Sequence, residues 1–143
     1  MLFQIKSYIK FLWISKNEHG VHSPFVFDLV TKCFYDTSSK PEYSLLKKYR
    51  NLLLENKNTI EVTDFGAGSR VFKSNTRQIA KIAKTAGISK KRAELLFRMV
   101  NYFQPSTILE IGTSLGLATS ALSLGNESRS LWSKIITLEG CSW

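Results

Sequence analysis

One carboxylate and two glycines, placed close together, are the residues of this sequence that best suit ligand chemistry. Glu110 lies near the end of a short apolar run, and Gly112 and Gly116 follow it four positions apart. Glycine allows backbone conformations and a close ligand approach that a Cβ would hinder. Backbone amides at the start of a helix can donate hydrogen bonds to carboxylate or hydroxyl oxygens of a ligand. The spacing therefore predicts a ligand-binding turn, in which Thr113 and Ser114 are polar neighbours that could touch the ligand.

A second carboxylate, Glu139, ends the apolar run 134–139 and comes 27 positions after Gly112. In an open parallel sheet, ligands bind beyond the carboxyl ends of the strands, and a carboxylate that ends the neighbouring strand can accept hydrogen bonds from both hydroxyls of a ribose. The strands of such a sheet are covered by helices on both faces and are apolar throughout. We therefore expect the run 108–111 to be buried on both faces, with Glu110 facing a ligand rather than the core.

The elements around these residues alternate between strand and helix. An apolar helical pattern follows the turn and ends at Gly125, before the second predicted strand. Upstream, Ser89 is placed to cap a helix that Pro105 ends. Asn75 is placed to cap an earlier helix, with Gly87 in the left-handed position at its C-terminus. Strand, helix and strand in this order predict an α/β fold.

Residues 1–58 have the pattern of a helical region. Apolar positions in the first 16 residues recur at helical spacing, with lysines between them, as in an amphipathic helix. Ser23 and Pro24 suit the start of a second helix, and residues 43–54 have the pattern of a third. We expect this region to form a cap or lid in which the first helix buries its apolar stripe, and a membrane-surface helix is the alternative.

A second glycine loop, residues 66–68, follows the half-exposed strand pattern of residues 60–65, and no helix starts immediately after it. We interpret this segment as a loop near the mouth of the site, with a purely structural turn as the alternative. The candidate substrate contacts are polar residues near this loop or in the N-terminal region: Asp64, Ser69, Arg70 and His22. The catalytic base stays unassigned, because reach cannot be judged from sequence, and the residues of suitable type are His19, His22 and Asp64. No third ligand accompanies the two histidines, so we expect no metal site.

Composition and charge restrict the class of protein. With 143 residues, 43% of them hydrophobic and 22% charged, the chain is typical of one globular domain rather than of a disordered segment. Residues 1–105 hold 18 Lys and Arg against 8 Asp and Glu, which could attract nucleic acid or an anionic membrane, although solvated surface lysines explain the same charge. Cys33 and Cys141 lack metal-ligand spacing and the N-terminus lacks a signal-peptide pattern, so we expect a reducing, cytoplasmic location.

At the turn and at Glu139 the sequence resembles the class I S-adenosylmethionine-dependent methyltransferases. Their first motif consists of two apolar residues, Glu or Asp, any residue, Gly, three residues of any type and a second Gly. Within that superfamily, the segment GISKKRAELLFRMVNYFQPSTILEIGTSLGLATSAL is most similar to the catechol-type small-molecule O-methyltransferases, with their LEIGT strand end. The match covers about residues 87–140.

The resemblance implies a Rossmann-like methyltransferase fold in residues 59–143, S-adenosylmethionine as the cofactor and a small-molecule acceptor. It further implies that the turn 112–116 passes the methionine part of the cofactor and that Glu139 holds the ribose hydroxyls. The candidate cofactor-binding residues are Glu110, Gly112, Thr113, Ser114, Gly116 and Glu139.

The sequence also departs from related patterns. Nicotinamide-binding domains share the topology, but their second glycine falls where this chain has Ser114. The methyltransferase fold has seven strands, whereas this chain ends four residues after Glu139. We therefore expect an incomplete Rossmann-like domain, consisting of the first core strands preceded by the N-terminal helices, and a truncated methyltransferase. The alternative is a non-enzymatic basic module that binds nucleic acid or anionic membrane, and homo-oligomerisation stays open.

Overall fold

A computed structural model describes residues 2–15, 20, 22–62, 71–126 and 135–138. The chain divides into two compact units, Met1–Asp36 and Thr37–Trp143. Helices and short strands both occur, and the strands include a parallel pair joined through a helix. The protein is therefore of mixed α/β type, as the alternation of patterns in the sequence predicts.

The N-terminal unit contains helix α1, Leu2–Ile14, and helix α2, Pro24–Asp28, which continues into the π-helical turn Leu29–Phe34. The predicted start of α2 is confirmed. The hydroxyl oxygen of Ser23 accepts a hydrogen bond from the Val26 amide at 3.4 Å, which satisfies one of the amides that a helix start leaves without an intrahelical partner. Pro24 occupies the first helical turn, where its missing N–H costs nothing.

Helix α1 forms where the apolar periodicity predicts it, but no residue of α1 is buried. Trp13 is 90% exposed, and Ile5, Ile9 and Leu12 are each more than half exposed. The expectation that this stripe is buried is therefore wrong for the structure described. Beyond α1, the described part of the N-terminal unit consists mainly of α2 and the π-helical turn. In the part of the chain that the structure describes, no helix is both long and apolar enough to cross a membrane.

The described residues of the second unit contain four helices: α3, Glu42–Glu55; α4, Ile79–Thr85; α5, Lys90–Phe103; and α6, Leu117–Gly125. Their shared core is small, and its buried members come from α3, α5 and α6: Leu46, Ala93, Phe97 and Ala121. The Tyr43 ring of α3 packs edge-to-face on Phe97, with the ring centroids 5.5 Å apart. Helix α3, which the sequence groups with residues 1–58, thus lies in the same unit as the strands.

Strands β1, Thr59–Glu61, and β2, Thr76–Gln78, form an antiparallel pair in which Ile60 lies opposite Arg77. Strand β2 is absent from the sequence prediction, because its three residues are all polar and show no apolar alternation. The expectation that Asn75 caps a helix is wrong for the same reason. The carbonyl oxygen of Asn75 instead accepts a hydrogen bond from the Val62 amide at 2.9 Å, next to the strand pair.

Strands β3, Ile108–Ile111, and β4, Ile135–Leu138, form a parallel pair with α6 between them in the chain. Ile108 lies opposite Ile135, and the register continues to Ile111 opposite Leu138. The strand, turn, helix and strand that the sequence predicts are therefore confirmed. The predicted end of the second strand, Glu139, lies outside the described residues.

Side chains alternate in burial along β3. Glu110 is 8% exposed, whereas Leu109 and Ile111 are 57% and 56% exposed. The expectation that helices cover both faces of this strand is therefore wrong. Since successive side chains of a strand point to opposite faces, Leu109 and Ile111 share the open face and Glu110 lies on the face against α6.

Two helix-end glycines are required by close packing. A Cβ on Gly87 would lie 2.3 Å from the Ala83 carbonyl oxygen and 2.8 Å from Leu117 Cδ1, and Gly87 is not in the left-handed conformation that the sequence predicts. A Cβ on Gly125 would lie 2.6 Å from the Phe97 carbonyl oxygen. Gly125 therefore lets α6 approach the backbone of α5, whereas Gly87 avoids a clash with a carbonyl of its own helix α4.

Candidate functional site

The turn between β3 and α6 has the conformation that its glycines permit. Gly112 has φ of +79°, Ser114 of +51° and Gly116 of +70°, all in the left-handed region. The Gly116 amide donates a hydrogen bond to the Thr113 carbonyl oxygen at 3.0 Å, which closes the turn. A Cβ on Gly112 would have no described atom within 4 Å, so glycine is needed there for its backbone angle and not for lack of space. This open space is on the side where a ligand would lie.

Two contacts hold the turn against the helices. The Tyr49 hydroxyl of α3 donates a hydrogen bond to the Leu115 carbonyl oxygen at 2.8 Å. The Gly116 carbonyl oxygen accepts the first helical hydrogen bond of α6 from the Ser120 amide at 2.9 Å, and no described side chain caps this end of α6. The turn is thus fixed from outside while its helix start carries no side-chain cap.

Glu110 lies beneath the turn. Its Oε2 accepts a hydrogen bond from the Thr119 hydroxyl of α6 at 2.6 Å, a length typical of a hydroxyl bound to a charged carboxylate. The sequence predicts a Glu110 side chain that faces a ligand, and the structure places one of its oxygens against α6. A carboxylate has several acceptor sites on its two oxygens, so this bond ties the strand to the helix without using all of them.

The hydroxyl oxygen of Thr113 is buried and has no hydrogen-bond partner among the described residues. Leaving a buried hydroxyl unsatisfied costs about 1–3 kcal/mol, and native structures contain few such groups. The oxygen belongs to the predicted ligand-binding turn. A ligand that offers a hydrogen-bonding group at this point would remove the cost.

A cleft of about 790 Å³ opens beside the turn, within the second unit. This volume lies in the range of small-molecule sites, which are mainly apolar with a few placed polar groups. The residues that line it come from the turn, from β1 and β2 with their flanks, and from α4: Ile60, Glu61, Val62, Val71, Phe72, Arg77, Ile82, Thr85, Ala86, Gly112, Thr113, Ser114 and Leu115. The turn therefore forms one wall of a cleft that both polar and apolar residues line.

Arg77 of β2 is the arginine among the residues that line this cleft, although it is only 9% exposed. Its Nε donates a hydrogen bond to the Ser74 carbonyl oxygen at 3.2 Å, and its Cζ lies 5.0 Å from the centre of the Phe72 ring. The sequence prediction misses this residue, since β2 has no strand pattern and Arg77 is one of many basic residues in that part of the chain.

The predicted site residues divide into three groups. Of the cofactor candidates, Gly112, Thr113 and Ser114 line the cleft, while Glu110 and Gly116 shape the turn without being among its lining residues. His22 is exposed and lies in the N-terminal unit, before α2. The remaining candidates lie outside the described residues: Glu139, Asp64, Ser69, Arg70 and His19. Within the described ranges, no group of three or more His, Cys, Asp or Glu side chains could hold a metal ion.

Comparisons of the chain with protein-family models, with curated proteins and with solved structures give no match. The function therefore has to be argued from the turn, the cleft and the chemistry of the residues around them.

Proposed function

We propose that this protein is an S-adenosylmethionine-dependent methyltransferase that binds its cofactor in the cleft beside the turn 112–116. The observation that carries the proposal is the turn itself. It follows the carboxyl end of a parallel strand, holds Gly112 and Gly116 in left-handed conformations and forms a wall of the cleft. Ligands of open α/β sheets bind at this position in the fold. A Rossmann-like arrangement of the strands is part of the proposal.

The cleft fits the chemistry of the cofactor, which joins a nucleoside to an amino acid through a sulfonium. A volume of about 790 Å³ suits a ligand of that size. The buried hydroxyl of Thr113 would gain a partner from the polar groups of the methionine part. Gly112 leaves the approach to the turn open, and the negative charge of Glu110 near it would favour the ammonium and sulfonium groups. By the resemblance, Glu139 would hold the ribose.

When bound, the cofactor would supply an electrophilic methyl group: an acceptor nucleophile would bond to its carbon in line with the carbon–sulfur bond, which breaks and releases S-adenosylhomocysteine. The residues of the turn would bind and orient the methionine part, which fixes the direction of the carbon–sulfur bond relative to the acceptor. The apolar residues Ile60, Val62 and Phe72 would keep water away from the reacting carbon. The proton of the acceptor needs a base, for which His19, His22 and Asp64 are the candidates by type. The acceptor is proposed to be a small molecule.

Isothermal titration with S-adenosylhomocysteine tests the proposal. The wild-type chain should bind it, and Gly112→Val should abolish binding, because the added side chain enters the cleft and strains a backbone with φ of +79°. Gly125→Ala is the matched control, since a Cβ there disturbs the contact between α5 and α6 away from the cleft. Circular dichroism checks that both variants fold. If the wild-type chain shows no heat of binding at millimolar ligand, the proposal is wrong.

The exposed helix α1 favours a second candidate function, binding to an anionic membrane surface. Its apolar side chains are exposed, Lys6 and Lys10 are exposed on the same helix, and it contains no acidic residue. Interfacial helices combine apolar burial with attraction of lysines to anionic lipid. The chain should sediment with vesicles that contain phosphatidylserine and stay in solution with pure phosphatidylcholine. Lys6→Gln with Lys10→Gln should abolish the difference; equal recovery from both vesicle types would exclude this candidate.

A further inference from the structure

We infer that Arg77 binds the carboxylate of the methionine part of the cofactor. The inference rests on the proposed function and names a binding residue that the sequence motif does not contain. It gives the strand pair β1–β2 a polar contact with the ligand in addition to the apolar lining that Ile60 and Val62 supply.

The position of Arg77 gives the first part of the argument. It lies on β2 opposite Ile60 of β1, and both residues line the cleft together with Thr113 and Ser114 of the turn. The turn is the proposed neighbour of the methionine part. A cationic side chain that lines the same cleft is therefore placed to meet the negative end of that part.

The way in which Arg77 is held gives the second part. Its Nε–H donates to the Ser74 carbonyl oxygen, and its guanidinium stacks on the Phe72 ring, so its orientation is set before a ligand arrives. Guanidinium is planar with five N–H donors, and it can bind a carboxylate through two parallel hydrogen bonds. An ordered arginine also loses less side-chain entropy on binding than a mobile one.

The burial of Arg77 gives the third part. Arg77 is 9% exposed, so its charge lies largely out of bulk water. Coulomb attraction is stronger in such a place than at a free surface. A ligand carboxylate in the cleft would thus be recognised by a charge-assisted bond rather than by weak surface attraction.

Two ligands that differ only in the carboxylate separate this inference from a general effect on the cleft. S-adenosylhomocysteine carries the carboxylate, and its decarboxylated analogue, S-(5′-adenosyl)-3-thiopropylamine, keeps the nucleoside, the thioether and the ammonium. We expect wild-type protein to bind the first about 10- to 100-fold more tightly, the effect of one bidentate charged bond. Arg77→Met should remove this preference by weakening only S-adenosylhomocysteine. Titration calorimetry measures all four affinities.

Two further variants make the outcome decisive. Arg77→Lys keeps the positive charge without the planar guanidinium, and should retain part of the preference for S-adenosylhomocysteine over its decarboxylated analogue. If circular dichroism shows that Arg77→Met is unfolded, Arg77→Lys tests the inference in its place. Arg98→Met is the control, because Arg98 donates to the Tyr43 hydroxyl in the same unit and does not line the cleft; it should leave both affinities unchanged.

Each contrary result points to one error. Equal loss of both ligands in Arg77→Met and Arg77→Lys would show that Arg77 only supports the cleft, and the inference would be wrong while the proposed function stands. A wild-type protein that binds both ligands equally would also overturn it. A wild-type protein that binds neither ligand would overturn the proposed function itself, and the role of Arg77 with it.

Discussion

Replacing Thr119 by Val tests whether the hydrogen bond to Glu110 holds α6 against β3. The two residues have the same shape and similar helix propensity, so the substitution removes little except the hydroxyl. That hydroxyl donates to Glu110 Oε2 at 2.6 Å, and Glu110 is 8% exposed, so water cannot easily replace the lost donor. Leaving a buried acceptor without its donor costs about 1–3 kcal/mol, and more when the acceptor is charged. We expect a loss of about 2–3 kcal/mol in the free energy of unfolding.

Urea unfolding followed by far-ultraviolet circular dichroism measures this loss. With a urea dependence of about 2 kcal/mol per molar, the midpoint should fall by about 1 to 1.5 M. Thr85→Val is the control, because the Thr85 hydroxyl is on an exposed residue and donates only to the Lys81 carbonyl of its own helix; it should change stability by less than about 0.5 kcal/mol. In a Glu110→Gln background, Thr119→Val should cost only about 1 kcal/mol, since the remaining bond is neutral. The reasoning is refuted if Thr119→Val and Thr85→Val shift the midpoint equally.

Other packing and surface contacts lead to three further expectations. Gly125→Ala should lower the free energy of unfolding by about 1–3 kcal/mol, because its Cβ would lie 2.9 Å from Val100 Cβ and 2.6 Å from the Phe97 carbonyl oxygen. An unchanged thermal midpoint would contradict this close approach. Phe97→Ala should lower the free energy of unfolding, measured in urea, by about 3–5 kcal/mol, because a cavity opens in the core that three helices share. A loss below about 1 kcal/mol would mean that this core is loosely packed. The double variant Leu109→Thr with Ile111→Thr changes the open face of β3 and should lower the free energy of unfolding by less than about 1 kcal/mol. Any self-association of the chain, measured by analytical ultracentrifugation, should decrease, because an exposed apolar surface is removed. A large loss of stability would show that this face is covered.

The elements that the sequence predicts well are those with local signals. Ser23 and Ser89 both cap helices as predicted, because a serine hydroxyl and an amide three residues later meet within one turn of chain. The turn at Gly112 is likewise predicted from residues that are close together in the chain. In each case the interaction that fixes the element lies within a few positions, so the sequence alone shows it.

The errors fall where distant contacts decide the structure. Strand β2 forms because β1 pairs with it, although its own residues have no strand pattern. Gly87 looks like a left-handed helix end in the sequence, but it lacks a positive φ, and a Cβ there would clash first with the Ala83 carbonyl oxygen of α4. The open face of β3 could not be inferred from an apolar run, since apolar residues do not reveal which of them find a partner. Local residue types therefore predict most of the elements, but they miss β2 and do not show which faces of an element are covered.

The candidate site shows the same division. The turn residues Gly112, Thr113 and Ser114 could be predicted because a short motif contains them. Arg77 could not, since it is brought to the cleft by the pairing of β1 and β2 and by its stacking on Phe72. The wall formed by β1, β2 and α4 thus depends on tertiary structure, whereas the wall formed by the turn depends mostly on local sequence.

Helix α3 shows why even the turn is not wholly a local feature. Its Leu46 is part of the core with α5 and α6, and one turn further along, Tyr49 donates a hydrogen bond to the Leu115 carbonyl oxygen. The same packing that buries Leu46 therefore sets the position of the turn. A fragment limited to residues 87–140 would keep the glycine motif and lose this bond. Because the backbone of the turn holds left-handed residues at the alternate positions 112, 114 and 116, losing an external restraint would let it relax. Helix α3 thus belongs to the unit that contains the turn and helps to hold the turn in place.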